Sequence, residues 1–250
     1  MKELPAQAPP RFEIRVLPDL EEAARAAALE VAAAASDAFS DRGIFRLALS
    51  GGSTPRVLFD ALAGPPFSRR IDWRKARVFF ADERCVPPSN ERSNYRLAKE
   101  HLLDPLYVPA RNVFRMRGEE EPRRAARDYD RILRTEFGQG QPRLDLVLLG
   151  LGADGHTASL FARTRALEEK EKWAAANYLP VQKEWRLTLT LRVLNAARHV
   201  IFLVAGEEKG TAVAAVLARK RGSRSLPASL VRPKSGSLIW ILDEAAASSL

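Results

Sequence analysis

Residues 144–161 read LDLVLLGLGADGHTASLF, and the reading of the whole chain starts there. Residues 144–149 are an apolar run of strand length, broken only by Asp145. A glycine turn follows, with Gly150, Gly152 and Gly155 around Asp154, and then His156 and Thr157. A buried strand that ends in glycines and then presents Asp and His is how α/β proteins build sites. In open α/β sheets, ligands bind at the carboxyl ends of the strands. Residues 158–161 read as the start of a helix, and His156 is the candidate for the chemistry.

The same glycines fit G-x-G-x-x-G after a strand, the dinucleotide-binding fingerprint. That fingerprint expects a second strand ending in an acidic residue about 20 positions on. Here the region is Glu168, Glu169, Lys170, Glu171 and Lys172, too charged for a buried strand, so a nicotinamide dehydrogenase is a poor reading.

Three more strands end in polar sequence. Residues 44–49 lead into Ser50, Gly51, Gly52, Ser53, Thr54 and Pro55. Ser53 or Thr54 is expected to cap a helix with Pro55 as its first residue. Free N–H groups at that helix start, beside two glycines, make an anion site. It is not a P-loop, because G-x-x-x-x-G-K-[ST] is absent. Residues 77–81 lead into Asp82, Glu83 and Arg84. Residues 200–205 lead into Gly206, Glu207, Glu208 and Lys209, where a helix to about residue 217 is expected to open.

If these strands are parallel, all four loops share one edge of the sheet. The pocket would hold backbone donors from residues 51–54, the cations Arg84 and Lys209, the carboxylates Asp82, Glu83 and Asp154, and His156. The cations and helix start suit a phosphate, and the carboxylates and histidine suit proton transfer. A lysine in the first turn of a helix opposes the macrodipole, a conflict that a shared anion removes. The plain alternatives are a solvated Lys209 paired with Glu207 or Glu208, and Arg84 paired with Asp82 and Glu83. His101 and His199 read as structural, and Cys85 as an ordinary thiol.

Elsewhere the chain alternates strand and helix. Residues 12–17 alternate apolar and polar, as in a strand. Asp19 and Glu22 resemble a capping box. The alanine-rich helix after them is expected to run to about residue 39, with Gly43 beyond its end. Helices are expected over 93–103 and 122–137, and a short strand over 112–116. Residues 163–172 read as a charged surface turn or helix. Leu187, Leu189 and Leu191 alternate with polar residues, as in a strand. Residues 238–242 are the last strand, with a short helix expected from Asp243. This alternation is the mark of a largely parallel sheet covered on both faces. The expectation is a flexible tail over 1–11 and one α/β domain over 12–250.

The 250 residues are 46% hydrophobic, enough for a sizeable core. Lys and Arg number 40 against 31 Asp and Glu, a net +9 that suits an anionic partner or a solvated basic surface. Cys85 is the only cysteine, so no internal disulfide and no cysteine-based metal cluster are expected. No signal-peptide core or bilayer-length apolar stretch is seen, and a soluble cytoplasmic protein is expected. The basic segment 219–224 reads as a solvated loop, and no nucleic-acid or membrane partner is expected.

SGGSTP, FFADERCVPPSNERSNYRLA and the GADGHTASLF block together resemble the motifs of the 6-phosphogluconolactonase family. RLTLTLRVLNAARHVIFLVAGEEK and PKSGSLIWILDEAA are similar to its C-terminal half. The wider superfamily resembles a modified Rossmann fold and includes glucosamine-6-phosphate deaminase, ribose-5-phosphate isomerase and CoA-transferase-like proteins. The deaminase has DEY where this chain has Asp82, Glu83 and Arg84, which favours the lactonase. After TASLF the family continues with Pro-Gly, whereas this chain has Ala162 and Arg163, so no role is carried onto Arg163 or Arg165.

The resemblance implies hydrolysis of 6-phospho-D-glucono-1,5-lactone to 6-phosphogluconate in the oxidative pentose phosphate pathway, without metal or organic cofactor, by a monomer or small homo-oligomer. Gly51, Gly52, Ser53, Thr54, Arg84 and Lys209 would bind the phosphate. His156 would be the general base, oriented by Asp82 or Asp154, and backbone N–H groups of the glycine turn would hold the oxyanion. The rival readings are a sugar-phosphate isomerase or deaminase of the same superfamily and a non-catalytic sugar-phosphate sensor.

Overall fold

A computed structural model of the chain describes residues 11–138, 140–218 and 226–250. The tail expected over 1–11 lies outside the described residues except for Arg11, as does the basic segment 219–224. In chain order the elements are β1 (Phe12–Leu17), α1 (Leu20–Arg42), β2 (Phe45–Leu49), α2 (Ser53–Ala63), β3 (Ala76–Phe80), β4 (Asp82–Arg84), α3 (Asn94–Ala98) and α4 (Pro122–Phe137). There follow β5 (Leu146–Leu149), α5 (Arg165–Glu168), β6 (Ala174–Leu179), β7 (Glu184–Leu189), α6 (Leu191–Leu194), β8 (His199–Val204), α7 (Gly210–Leu217) and β9 (Ser237–Asp243).

Among the described residues the main sheet has six strands in the order β1-β9-β8-β5-β2-β3, all paired parallel. Helices flank it. Every residue of β5 is buried, as are five of the six in β8. Continuous apolar runs are what a parallel sheet covered on both faces requires. Phe202 of β8 and Trp240 of β9 stack with centroids 4.0 Å apart. Helix α1 lies close on the sheet because its inner stripe is small: Ala23, Ala24, Ala27, Ala28, Ala34, Ala35 and Ala38, with Val31. It starts where Asp19 accepts a hydrogen bond from Glu22 N, 2.8 Å, and ends at Gly43 with φ 69°.

Asp145, the polar break in the apolar run, is buried at 1% exposure. Its carboxylate accepts from Arg46 N at 2.8 Å and from Arg42 Nε at 3.0 Å, with the Arg198 guanidinium 3.4 Å away. It ties α1, β2 and the start of β8 together at the amino-terminal edge of the sheet.

Several expectations are corrected. Asp82, Glu83 and Arg84 do not form a loop: they are β4, which pairs antiparallel with β7 in a second sheet of order β4-β7-β6. The strand expected through Leu191 ends at Leu189, and Leu191–Leu194 is a helical turn. Strand β6, AAANYL, was not anticipated, because its alanines carry neither β-propensity nor alternation. Residues 112–116 make only a single bridge, Val78 to Val113. No helix starts at Asp243; its carboxylate instead accepts from Gly206 N and Ala246 N. Residues 158–161 are not helical, and Thr157 bridges to Leu160. In β1 the alternation holds but the apolar side faces out, with Phe12, Ile14 and Val16 exposed.

Candidate active site

Strands β8, β5, β2 and β3, whose ends were singled out, are four consecutive neighbours in the sheet. The chain passes from β2 to β3 on one side, then through α4 to β5 on the other side of β2. That reversal is a topological switch point, where α/β sheets open a crevice. A cavity of about 260 Å³ lies there, lined by Gly51, Gly52, Ser53, Thr54, Asp82, Arg84, Gly152, His156, Arg186 and Lys209.

Asp154, not Asp82, holds His156: Nδ1 lies 2.5 Å from Asp154 Oδ1, which also accepts from His156 N at 3.2 Å. A carboxylate only accepts, so Nδ1 carries the proton and Nε2 presents its lone pair. The hydrogen bond from His156 holds the Asp154 carboxyl below its ordinary value, against partial burial. The imidazole stacks on Phe161, centroids 4.0 Å apart and planes 17° from parallel. The turn is closed by Gly152 N to His156 O and Gly155 N to Gly152 O, each 2.8 Å. Gly152 permits this packing, since a Cβ there would fall 2.0 Å from His156 Nδ1. With those two N–H groups already bonded, the oxyanion role expected of the glycine turn is not open to Gly152 or Gly155. No helix follows the turn, so the dinucleotide fingerprint lacks the helix start that would bind a pyrophosphate.

Asp82 is buried at 6% exposure and still lines the cavity. It accepts from Ser159 Oγ at 2.7 Å and from Asn94 Nδ2 at 3.2 Å. Glu83 does not line the cavity. Its carboxylate accepts from the N–H groups of Arg84, Asn94 and Tyr95 and from Ser93 Oγ, at 2.7 to 3.0 Å, and so caps α3. Burial pushes the Glu83 carboxyl up, against the pull of those donors.

Helix α2 begins at Gly52, whose φ of 118° favours glycine, and no side chain caps it. Neither Ser53 nor Thr54 is the cap, and Pro55 is the third helical residue rather than the first. The N–H groups of this first turn face the cavity without intrahelical partners, which suits an anion.

Arg84 is not paired with Asp82 or Glu83. Its Nη1 donates to Arg92 O at 2.7 Å, and its Nε is buried without a hydrogen-bond partner. Burial lowers its pKa; Asp82 works against that shift and Arg186 adds to it. Lys209 is the residue before α7, its Nζ 3.8 Å from Glu208 Oε1, and it lines the cavity. An ion pair of that length and exposure is weak.

Arg186 was missed. It reaches the cavity from β7, held by its Nε to Glu184 Oε1 at 2.8 Å. Ser159 and Phe161, which position Asp82 and His156, were missed as well. No cluster of three or more His, Cys, Asp or Glu placed to hold a metal occurs among the described residues.

Residues 18–240 match the family described as glucosamine-6-phosphate isomerases/6-phosphogluconolactonase. The probable 6-phosphogluconolactonase 1 of Arabidopsis thaliana is 36% identical, covering 96% of this chain and 94% of its own. The 6-phosphogluconolactonase of Nostoc sp. is 37% identical, covering 95% and 98%. The structure of 6-phosphogluconolactonase from Trypanosoma cruzi superposes with a TM-score of 0.85 at 28% identity, covering 98% of each chain. By sequence and by fold, this chain belongs to the glucosamine-6-phosphate isomerase/6-phosphogluconolactonase family.

Proposed function

We propose that the protein hydrolyses 6-phospho-D-glucono-1,5-lactone to 6-phospho-D-gluconate, the second step of the oxidative pentose phosphate pathway. The observation that carries this reading is the sharing of one cavity by His156, its Nδ1 held by Asp154, and by the α2 first turn, Arg84, Arg186 and Lys209. The first-turn N–H groups of α2, with Arg84, Arg186 and Lys209, bind the phosphate. That remote anchor places the lactone carbonyl and lowers the entropy lost at the reacting centre.

Water attacks the carbonyl carbon C1 while Nε2 of His156 takes its proton. The resulting tetrahedral oxyanion collapses, and the bond from C1 to the ring oxygen breaks. The imidazolium then returns its proton to that oxygen, so water is the only co-reactant. Asp154 holds the ring in the tautomer that can accept and stabilises the transient imidazolium. Asp82, fixed by Ser159 and Asn94, borders the same cavity.

The test is lactone disappearance, with substrate generated in situ and the spontaneous rate subtracted. Acceleration by the purified protein supports the reading. No acceleration by folded protein would sink it, and amino-sugar and pentose phosphates would be assayed next. No helix among the described residues is long and apolar enough to cross a membrane, and a cytoplasmic placement is part of this proposal.

A further inference from the structure

A second cavity, of about 490 Å³, lies on the other face of the β6–β7 hairpin, bordered by Arg123, Arg163, Arg165, Tyr178 and Trp185. Successive strand residues point to opposite faces: Arg186 lines the active site, and its neighbour Trp185 lines this cavity. The arginines come from two separate parts of the chain, the first turn of α4 and the segment after Phe161.

None of these three guanidiniums has an ion-pair or hydrogen-bond partner among the described residues, and no Asp or Glu borders the cavity among them. Some arginines elsewhere on this surface are paired, among them Arg96 with Glu100, Arg115 with Glu119 and Arg134 with Asp130, at 2.6 to 2.7 Å. Three guanidiniums around one concavity, with no Asp or Glu among the described residues of its lining, concentrate positive charge there.

The aromatic pair adds a second requirement. Tyr178 and Trp185 face each other across β6 and β7, with centroids 5.3 Å apart and planes at 53°. Tyr178 is 44% exposed. Arg123 sits over Trp185, 5.6 Å from the ring centroid. At the lip, Arg163 has φ 60°, a left-handed conformation that a residue with a side chain rarely adopts. Such strain concentrates at ligand clamps and switch regions. Arg163 also stands where the chain departs from the Pro-Gly of the family pattern.

We infer that this cavity binds a nucleoside phosphate, its base against the Tyr178–Trp185 pair and its phosphates between Arg123, Arg163 and Arg165. A bare anion would not need exposed aromatic rings, and an uncharged aromatic ligand would not need three arginines. A nucleotide uses both, through stacking on the rings and charge-assisted hydrogen bonds from the guanidinium forks.

The test is calorimetric titration of ADP into the full-length protein. Saturable binding is expected, weakened at least tenfold in the double variant Arg163→Ala/Arg165→Ala. Adenosine and inorganic pyrophosphate, each with half of the recognition, are expected to bind at least tenfold more weakly than ADP. Lys209→Ala, in the active site, is expected to leave ADP binding within twofold. Circular dichroism establishes that each variant is folded. Lack of saturable binding of ADP or GDP to folded wild type overturns the inference. So does pyrophosphate binding as tightly as ADP. ADP binding that survives the double arginine change, or is lost in Lys209→Ala, overturns it too.

Discussion

Arg84 and Arg186 stand directly opposite each other across β4 and β7, and both line the active-site cavity. Like charges in facing positions destabilise a strand pair. Glu184 offsets one of them, and an anion between the two offsets both. Arg186→Ala is therefore expected to leave the thermal midpoint of the free protein unchanged or slightly raised. Affinity for 6-phosphogluconate is expected to fall roughly 10- to 150-fold, the loss of a charge-assisted hydrogen bond of about 1.5–3 kcal/mol. Titration and thermal denaturation, with and without ligand, check both halves. A lower midpoint with unchanged affinity would make the pair structural.

His156→Ala is expected to cut turnover by about 10²–10⁴-fold, the usual worth of a general base, with 6-phosphogluconate affinity nearly kept. Asp154→Asn leaves a hydrogen bond but loses the charge that stabilises the imidazolium, and turnover should fall on the order of 10²-fold or more. The Asp154 carboxyl is held below its ordinary 3.8 by the bond from His156. A depressed carboxylate contributes stability above the unfolded value, and that contribution is lost as pH falls through the folded one. Asp154 thus stays ionised through the mildly acid range, and a wild-type rate loss there is not a loss of its charge. Rate profiles from acid to neutral pH for wild type and both variants check this.

Gly152→Ala would place a Cβ 2.0 Å from His156 Nδ1 and 2.6 Å from Asp154 Oδ1. The imidazole must swing away, so turnover should drop at least tenfold while the far-ultraviolet spectrum stays native. Turnover close to wild type would mean that the held ring position is not the working one.

Asp145→Leu removes the partner of Arg42 and Arg198 and leaves Arg46 N without an acceptor. Breaking a buried pair costs about 3–5 kcal/mol, or roughly 6–20 °C in melting temperature at this chain length. Thermal denaturation measures it. The residue lies at the sheet edge away from the active site, so the KM of the folded variant at low temperature should hold.

Burial pushes the Cys85 thiol up to about 12 from 9.0. Thiolate, not thiol, is the nucleophile. Iodoacetamide labelling at pH 8 should be at least tenfold slower in the native protein than in denaturant, and Cys85→Ser should keep full activity. Labelling as fast in the native state would contradict the burial.

The four strand ends were legible because each is a local pattern, a run of apolar residues closed by Gly, Ser or Asp. Helix 122–137 was legible to the residue, since Pro122 and Gly138 mark its ends. So was the convergence of His156, Arg84, Lys209 and the α2 turn on one cavity, given parallel strands. What required the tertiary structure was everything set by distant partners. The choice of Asp154 over Asp82 depends on how the turn over residues 152–156 closes, which brings the Asp154 carboxylate onto the His156 ring. The second sheet depends on Asp82 meeting Thr188. Arg186 gains a role only because that register places it opposite Arg84. Sequence spacing reports periodicity along one element, whereas the contacts across β4 and β7 join residues about a hundred positions apart, whose meeting depends on how separate elements pack.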